Sequence, residues 1–185
     1  ETEDALIELN YLGIENVLAV RGDDKGNSKP VPKDKTVNCY AHDLVGQIVD
    51  MNNGKYLDED LLDATPTDFC IGVGGYPEKH FESPNLKSDL AYLKKKVDAG
   101  ADYIVTQMFF DNQKYKDFVK SCRASGINIP IVPGIKPIAA LNDISLLPQI
   151  FNIDLPEDLV KEIQKCKTKE QVRELGVEWS IAQAK

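Results

Sequence analysis

The sequence predicts an α/β fold of the parallel kind, laid out as an incomplete portion of a (β/α)8 TIM-type barrel. Three observations predict it. Short apolar segments alternate with amphipathic helical segments along the whole chain. The short segments are continuously apolar, the pattern of parallel strands buried on both faces. The polar and glycine-rich motifs collect after the strands and not before them. Such alternation builds right-handed βαβ units into one parallel sheet covered by helices.

The elements follow in order. Thr2 caps a helix in which Ala5, Leu6, Leu9 and Leu12 recur at helical spacing and Gly13 closes it. Residues 16–20, Asn-Val-Leu-Ala-Val, suit a buried strand. Arg21-Gly-Asp-Asp24 and a polar loop over 25–37 follow. A helix over 40–52 carries Leu44, Ile48 and Met51 on one face, and 53–67 is an irregular acidic connection. The second strand is 69–73, with Gly74 to His80 as its loop. A helix over 87–99 turns Leu90, Leu93 and Val97 inward and stops at Gly100. The third strand is 103–107, the next helix 112–125, and the fourth strand 129–132 with Pro133-Gly-Ile135 at its end. The remainder is helical, with starts near Asn142, Pro156 and Thr168. These make about four β/α units, whereas a full barrel takes about 250 residues. The chain lacks an initiator Met and both ends are helical in pattern, so 1–185 reads as one partial barrel domain cut at both ends.

Composition narrows the function. Among 185 residues there are 22 Lys and Arg against 30 Asp and Glu, a net charge of −8. An acidic chain is a poor partner for nucleic-acid backbones. No apolar run reaches the ~20 residues that span a bilayer, and no signal peptide opens the chain. Cys39, Cys70, Cys122 and Cys166 form no C-x-x-C pair, and His42 and His80 are the only histidines. Reduced thiols in a cytoplasmic protein, with no metal site, are therefore expected.

In a parallel barrel the C-terminal strand ends share one face, and that face carries the active site. The motifs here sit at those ends: Arg-Gly-Asp, Gly-Gly-Tyr-Pro-Glu-Lys-His, Thr-Gln-Met-Phe-Phe-Asp and Pro-Gly-Ile. The opposite ends carry routine turn residues. Asp23 is either a carboxylate in the mouth of the site or a partner of Arg21 that orders the loop. Gly72-Val-Gly-Gly-Tyr-Pro77 fails as a dinucleotide fingerprint, because Pro77 stands at the third glycine position. Its glycines instead leave the strand end bare for a flat ligand, with Tyr76 and His80 placed to stack on it or bond to it. Asp89 and Lys96, seven apart, share a helix face and either meet one polar ligand or form plain surface. Gln107 ends an apolar strand, so it faces the barrel mouth or has a buried partner. Phe109, Phe110 and Trp179 read as packing. A lyase or phosphate-handling barrel is disfavoured, because no strand-end lysine stands out and Pro-Gly-Ile lacks the further glycines of a phosphate cradle.

Five stretches, NVLAVRGD (16–23), YAHDLV (40–45), GGYPEKH (74–80), DLAYLKKKVDAGADYIVTQMFFD (89–111) and IPIVPGIKPI (129–138), together resemble the methylenetetrahydrofolate reductase family in identity, order and spacing. That family folds as an eight-stranded α/β barrel with FAD in its mouth. It reduces 5,10-methylenetetrahydrofolate to 5-methyltetrahydrofolate with NADH or NADPH. The resemblance implies FAD contacts at Arg21, Gly22, Asp23, Tyr40, Ala41, Tyr76, His80, Phe81, Glu82, Ser83, Asp89 and Lys96. It implies folate contacts at Asp23 and Gln107. Asp23 takes the catalytic part, since its charge would disfavour electron-rich reduced flavin and favour cationic character on the folate. Tyr92 and Lys95 fall where some members carry Asn and Arg. Leu147 falls where some place a stacking aromatic. The family's general-acid glutamate would precede residue 1, so the isolated chain is expected to be inactive, with exposed sheet edges that promote self-association. The parent is expected to be a homo-oligomer. The alternative is a non-catalytic flavin-binding or regulatory half-barrel.

Overall fold

The computed structural model describes residues 2–21, 38–58 and 60–185. Its elements are α1 (Thr2–Tyr11), β1 (Asn16–Ala19), α2 (Ala41–Asn52), β2 (Cys70–Gly75), α3 (Leu86–Asp98), β3 (Tyr103–Met108), α4 (Asn112–Ala124), β4 (Ile131–Gly134), α5 (Asp143–Phe151), α6 (Glu157–Lys165) and α7 (Lys169–Ala184). The strands form one sheet in the order β1-β2-β3-β4. β1 pairs with β2 in parallel, Asn16 opposite Cys70 and Ala19 opposite Val73. A helix joins each strand to the next, as in consecutive units of a β/α barrel. Arg-Gly-Asp after the first strand is only partly placed, since Gly22 and Asp23 lie outside the described residues.

The chain forms two compact units, Glu1–Gly74 with Tyr92–Ile104, and Gly75–Ala91 with Val105–Lys185. In the first, the strand start of β2 is held by side chains that imitate a neighbouring strand. Asn52, the last residue of α2, donates through Nδ2 to the Phe69 carbonyl at 2.9 Å. Its Oδ1 accepts from the Phe69 N–H at 2.9 Å and from Thr67 Oγ1 at 2.7 Å. Asp102 does the same one strand over. Its carboxylate accepts from the Ile71 N–H at 2.7 Å while its own N–H donates to the Ile71 carbonyl at 2.8 Å. Val45, Ile48 and Met51 of α2 are buried, as are Ile71 and Val73 of β2.

In the second unit, Phe110, Ile138, Leu147, Ile153, Leu159, Ile163 and Val172 form one apolar cluster. Leu159 and Ile163, four apart on α6, meet it from one face. Trp179 packs against the same cluster and donates its Nε1–H to the Phe110 carbonyl at 3.3 Å. Asp111 caps α4, its carboxylate accepting from the Gln113 N–H at 2.8 Å. That accounts for the aspartate closing the Thr-Gln-Met-Phe-Phe-Asp motif.

Three expectations need correction. The sequence predicts every strand to be buried on both faces, but β1 and β4 are largely open, with Leu18 and Val132 exposed. They stand at the two ends of the strand order, where each has a neighbour on one side only. The fourth strand runs over 131–134 and not 129–132, because Gly134 itself pairs inward. Its N–H donates to Thr106 Oγ1 at 2.9 Å, and a Cβ there would stand 2.2 Å from the Thr106 carbonyl oxygen. Finally, Gly72 is not bare for a ligand. A Cβ at that position would meet the Tyr103 ring at 2.5 Å, so the glycine makes room for a protein side chain.

Asn52→Ala removes the three bonds at the start of β2 and leaves the Phe69 amide groups without their partner. A loss of about 1–3 kcal/mol in unfolding free energy is expected, read from urea melts.

Candidate functional site

The loop after β2 gathers the largest group of expected site residues. Its geometry begins with Pro77, which fixes φ and leaves the turn to Glu78 and Lys79. Lys79 takes up a positive φ of 81°, uncommon for a side chain of its size. Its Nζ reaches over the loop and donates to the Ser83 carbonyl at 2.6 Å. The chain then closes on itself, the Ser83 N–H donating to the His80 carbonyl at 3.0 Å.

Asp89 holds this loop. It lies in the first turn of α3, where the helix N-terminus favours a negative charge. One carboxylate oxygen accepts from Ser83 Oγ at 2.7 Å and the other from the His80 N–H at 3.2 Å. Asp89 and Ser83 are both buried, 8% and 5% exposed. The carboxylate therefore acts inward, on the loop's own donors.

Held in this way, the loop presents three rings. Tyr76 meets His80 edge-on, centroids 4.6 Å apart and planes at 75°. Phe81 also meets His80, at 4.6 Å and tilted by 31°. His80 Nδ1 accepts from the Glu82 N–H at 3.2 Å, which leaves Nε2 as the ring nitrogen free to face a ligand. The Glu82 carboxylate lies 3.9 Å from the same nitrogen. Among the described residues, His80 Nε2 has no partner. Phe81 is 58% exposed, a flat apolar surface open to a ligand.

The other expected residues are placed as follows. Tyr40 precedes α2, and its N–H donates to the Asp43 carboxylate at 2.8 Å. Its ring is exposed and stacks on His42 at 5.6 Å. Ala41 opens α2, and Arg21 lies exposed just past β1. Lys96 donates to the Gly74 carbonyl at the end of β2. Tyr92 and Lys95 face each other, the ammonium 5.6 Å from the ring centroid. Gln107 turns its Oε1 back to the Met108 N–H at 3.0 Å, which leaves its amide NH2 as the outward group. Leu147 is buried in the apolar cluster of the second unit.

Sequence reasoning passed over Glu78. Its Oε2 accepts from the Asp154 N–H at 2.6 Å, while Oε1 is sealed from solvent with no partner. Burial pushes the Glu78 carboxyl above the ordinary carboxylate range, with the bond from Asp154 opposing the rise. The available signal was its place: a charged pair, Glu78-Lys79, directly after a proline and between an apolar strand and an aromatic motif. A cleft of about 540 Å³ opens beside it, lined by Lys79, Lys114, Asp117, Phe118 and Asp154 among others.

Two outcomes are expected. Ser83→Ala strips one buried oxygen of Asp89 of its donor and should lower stability by about 1–3 kcal/mol in denaturant melts. Glu78 binds its proton more tightly folded than unfolded, so stability should decline as pH rises through its raised pKa. Glu78→Gln should remove that decline, which melts over a pH series will show.

The methylenetetrahydrofolate reductase family model matches residues 1–185. Methylenetetrahydrofolate reductase 2 of Saccharomyces cerevisiae is 38% identical over 180 residues, covering 94% of this chain and 27% of the yeast protein. Methylenetetrahydrofolate reductase (NADH) 1 of Arabidopsis thaliana is 39% identical over 192 residues, 98% of this chain and 30% of the plant protein. The 5,10-methylenetetrahydrofolate reductase of Buchnera aphidicola is 38% identical over 153 residues, 82% of this chain and 45% of that one. The chain thus spans less than half the length of these relatives. A solved Clostridium thermocellum protein, described as binding two copies of 5-methyl-5,6,7,8-tetrahydrofolic acid, aligns over 63% of this chain and 40% of its own. Its TM-score of 0.48 at 18% identity is too slight a likeness to argue from.

Proposed function

The chain belongs to the methylenetetrahydrofolate reductase family, and on that premise we propose that it carries flavin-binding elements of a barrel that reduces 5,10-methylenetetrahydrofolate to 5-methyltetrahydrofolate. FAD is the proposed cofactor and NADH or NADPH the proposed reductant. The observation that supports this best is the loop after β2. An open aromatic face at Phe81 and a His80 Nε2 unengaged among the described residues suit a flat heteroaromatic ligand rich in acceptors. The residues of this loop therefore fit a flavin.

When bound, FAD would relay a hydride from the nicotinamide to the folate. The chain's own residues have other tasks. His80 would donate its Nε2 proton as a hydrogen bond to a cofactor acceptor. Tyr76 and Phe81 would cover apolar ring surface and exclude water. Asp89 and Ser83, whose polar atoms are turned on each other, would act by shaping the loop and not by touching the cofactor. The Gln107 amide NH2 would donate to the pterin, its Oε1 being held by Met108. The parts assigned to Arg21, Gly22, Asp23, Tyr40, Ala41, Glu82 and Lys96 rest on the resemblance alone. Free thiols at all four cysteines fit the proposed cytoplasmic setting.

Titrating the purified chain with FAD, and following quenching of flavin fluorescence, tests the reading. Saturable binding is expected, weakened by His80→Ala, by Asp89→Ala and by Lys96→Ala. A version extended at both ends should also reduce methylenetetrahydrofolate. If that version held FAD and transferred no hydride, the reductase reading would give way to a flavin-binding half-barrel. If neither version bound FAD, the flavin assignment would be wrong.

A further inference from the structure

The loop that bears Tyr76, His80 and Phe81 has two anchors, and only one of them is the Asp89 clamp. The second lies on its opposite side. Glu78 Oε2 accepts from the Asp154 N–H at 2.6 Å, joining the loop to the corner where α5 gives way to α6. We infer that Glu78 is a positioning residue: its carboxylate fixes the loop to the 152–154 corner and thereby sets the rings of Tyr76 and His80. The functional meaning of this anchor rests on the flavin reading above; the anchor itself does not.

Four observations support it. First, the contact is long-range, 76 residues apart in sequence, so it is not a by-product of local turn geometry. Second, the corner is a firm post. Ile153 is buried in the apolar cluster, the Asn152 N–H donates to the Pro148 carbonyl at 2.9 Å, and Lys114 of α4 reaches the Asp154 carboxylate at 3.3 Å. Third, a residue with positive φ stands beside each partner in the chain, Lys79 at 81° directly after Glu78 and Asn152 at 56° two residues before Asp154. Such conformations persist where surrounding contacts over-determine them. Fourth, Glu78 has a single handhold. Its Oε1 is enclosed without a partner among the described residues, so the anchor depends on one hydrogen bond through Oε2. A carboxylate that kept a burial penalty for no positional gain would be an odd thing to find two residues from Tyr76 and two from His80.

The chemistry separates anchoring from mere bulk. A glutamine carbonyl accepts the Asp154 N–H as a glutamate does, whereas alanine has no acceptor and aspartate is shorter by one methylene. Amide hydrogen exchange on the 185-residue chain should therefore sort the variants. In Glu78→Ala and in Glu78→Asp, the Asp154, His80 and Ser83 amides should exchange about tenfold faster, the factor that loss of one hydrogen bond implies. Amides in α6 and α7 should keep their rates. Glu78→Gln should hold wild-type protection throughout. Should Glu78→Ala fail to fold, Glu78→Asp against Glu78→Gln carries the same comparison. Unchanged exchange in Glu78→Asp, or equal loss in the Gln and Asp variants, would overturn the assignment.

FAD titration of the same proteins gives the second readout. Affinity should drop about tenfold in Glu78→Asp and return in Glu78→Gln. Binding that ignored all three substitutions while the wild type bound FAD would also sink the positioning role. If the wild type bound no FAD either as this chain or extended at both ends, yet showed the expected exchange pattern, the flavin reading would fall and Glu78 would remain the loop's anchor.

Discussion

The candidate site depends on one buried carboxylate. Asp89 sits in the first turn of α3, where unpaired backbone N–H groups make a negative charge less costly. Its two oxygens are spent on one hydroxyl and one backbone amide of the loop that precedes the helix. That clamp brings Ser83 into the interior and fixes the His80 amide, while Glu78 holds the loop at a second point. The clamp is also self-protecting. A buried carboxylate that lost either donor would carry the cost of an unmet charge, so the loop and the helix start hold each other.

The remaining framework works by close approach. Asn52 and Asp102 bond the backbone where β2 begins, each meeting both the N–H and the carbonyl of one residue in β2 or just before it. Gly134 brings β4 against the Thr106 carbonyl, where any side chain would collide. These are steric and hydrogen-bonding conditions on the backbone, and they leave the strand-end side chains available for chemistry. That division of labour is what a β/α barrel offers: a scaffold made below and reactive groups carried above on loops.

Much of the fold was legible in advance, for reasons that can be traced to particular segments. The helix starts at Asn142, Pro156 and Thr168 were readable because capping and helix initiation depend on residues within a few positions of one another. The third strand and the helix after it were readable because their apolar periods differ so plainly. The end of β4 was misread by two residues, since the deciding contact is between Gly134 and a strand more than twenty positions earlier. Of the candidate site, Tyr76 and His80 stood out as unusual residues at a strand end. Glu78 did not, because a glutamate in a loop looks like any solvated charge until its partner at Asp154 is known.

What the sequence by itself determined is the order of elements, the kind of sheet they make, and the face on which its unusual residues collect. All three follow from short-range periodicity and from the chain's obligation to alternate strand and helix. It determined the family as well, through motifs whose spacing survives in one dimension. Only the tertiary structure decided what each polar group does. It turned Asp89 and Ser83 inward, left His80 Nε2 without a partner among the described residues, assigned Gly72 to the ring of Tyr103, and joined Glu78 to a residue far along the chain. The reason is physical: a hydrogen bond is satisfied by position and not by residue type, and positions across a fold are not written in neighbouring letters.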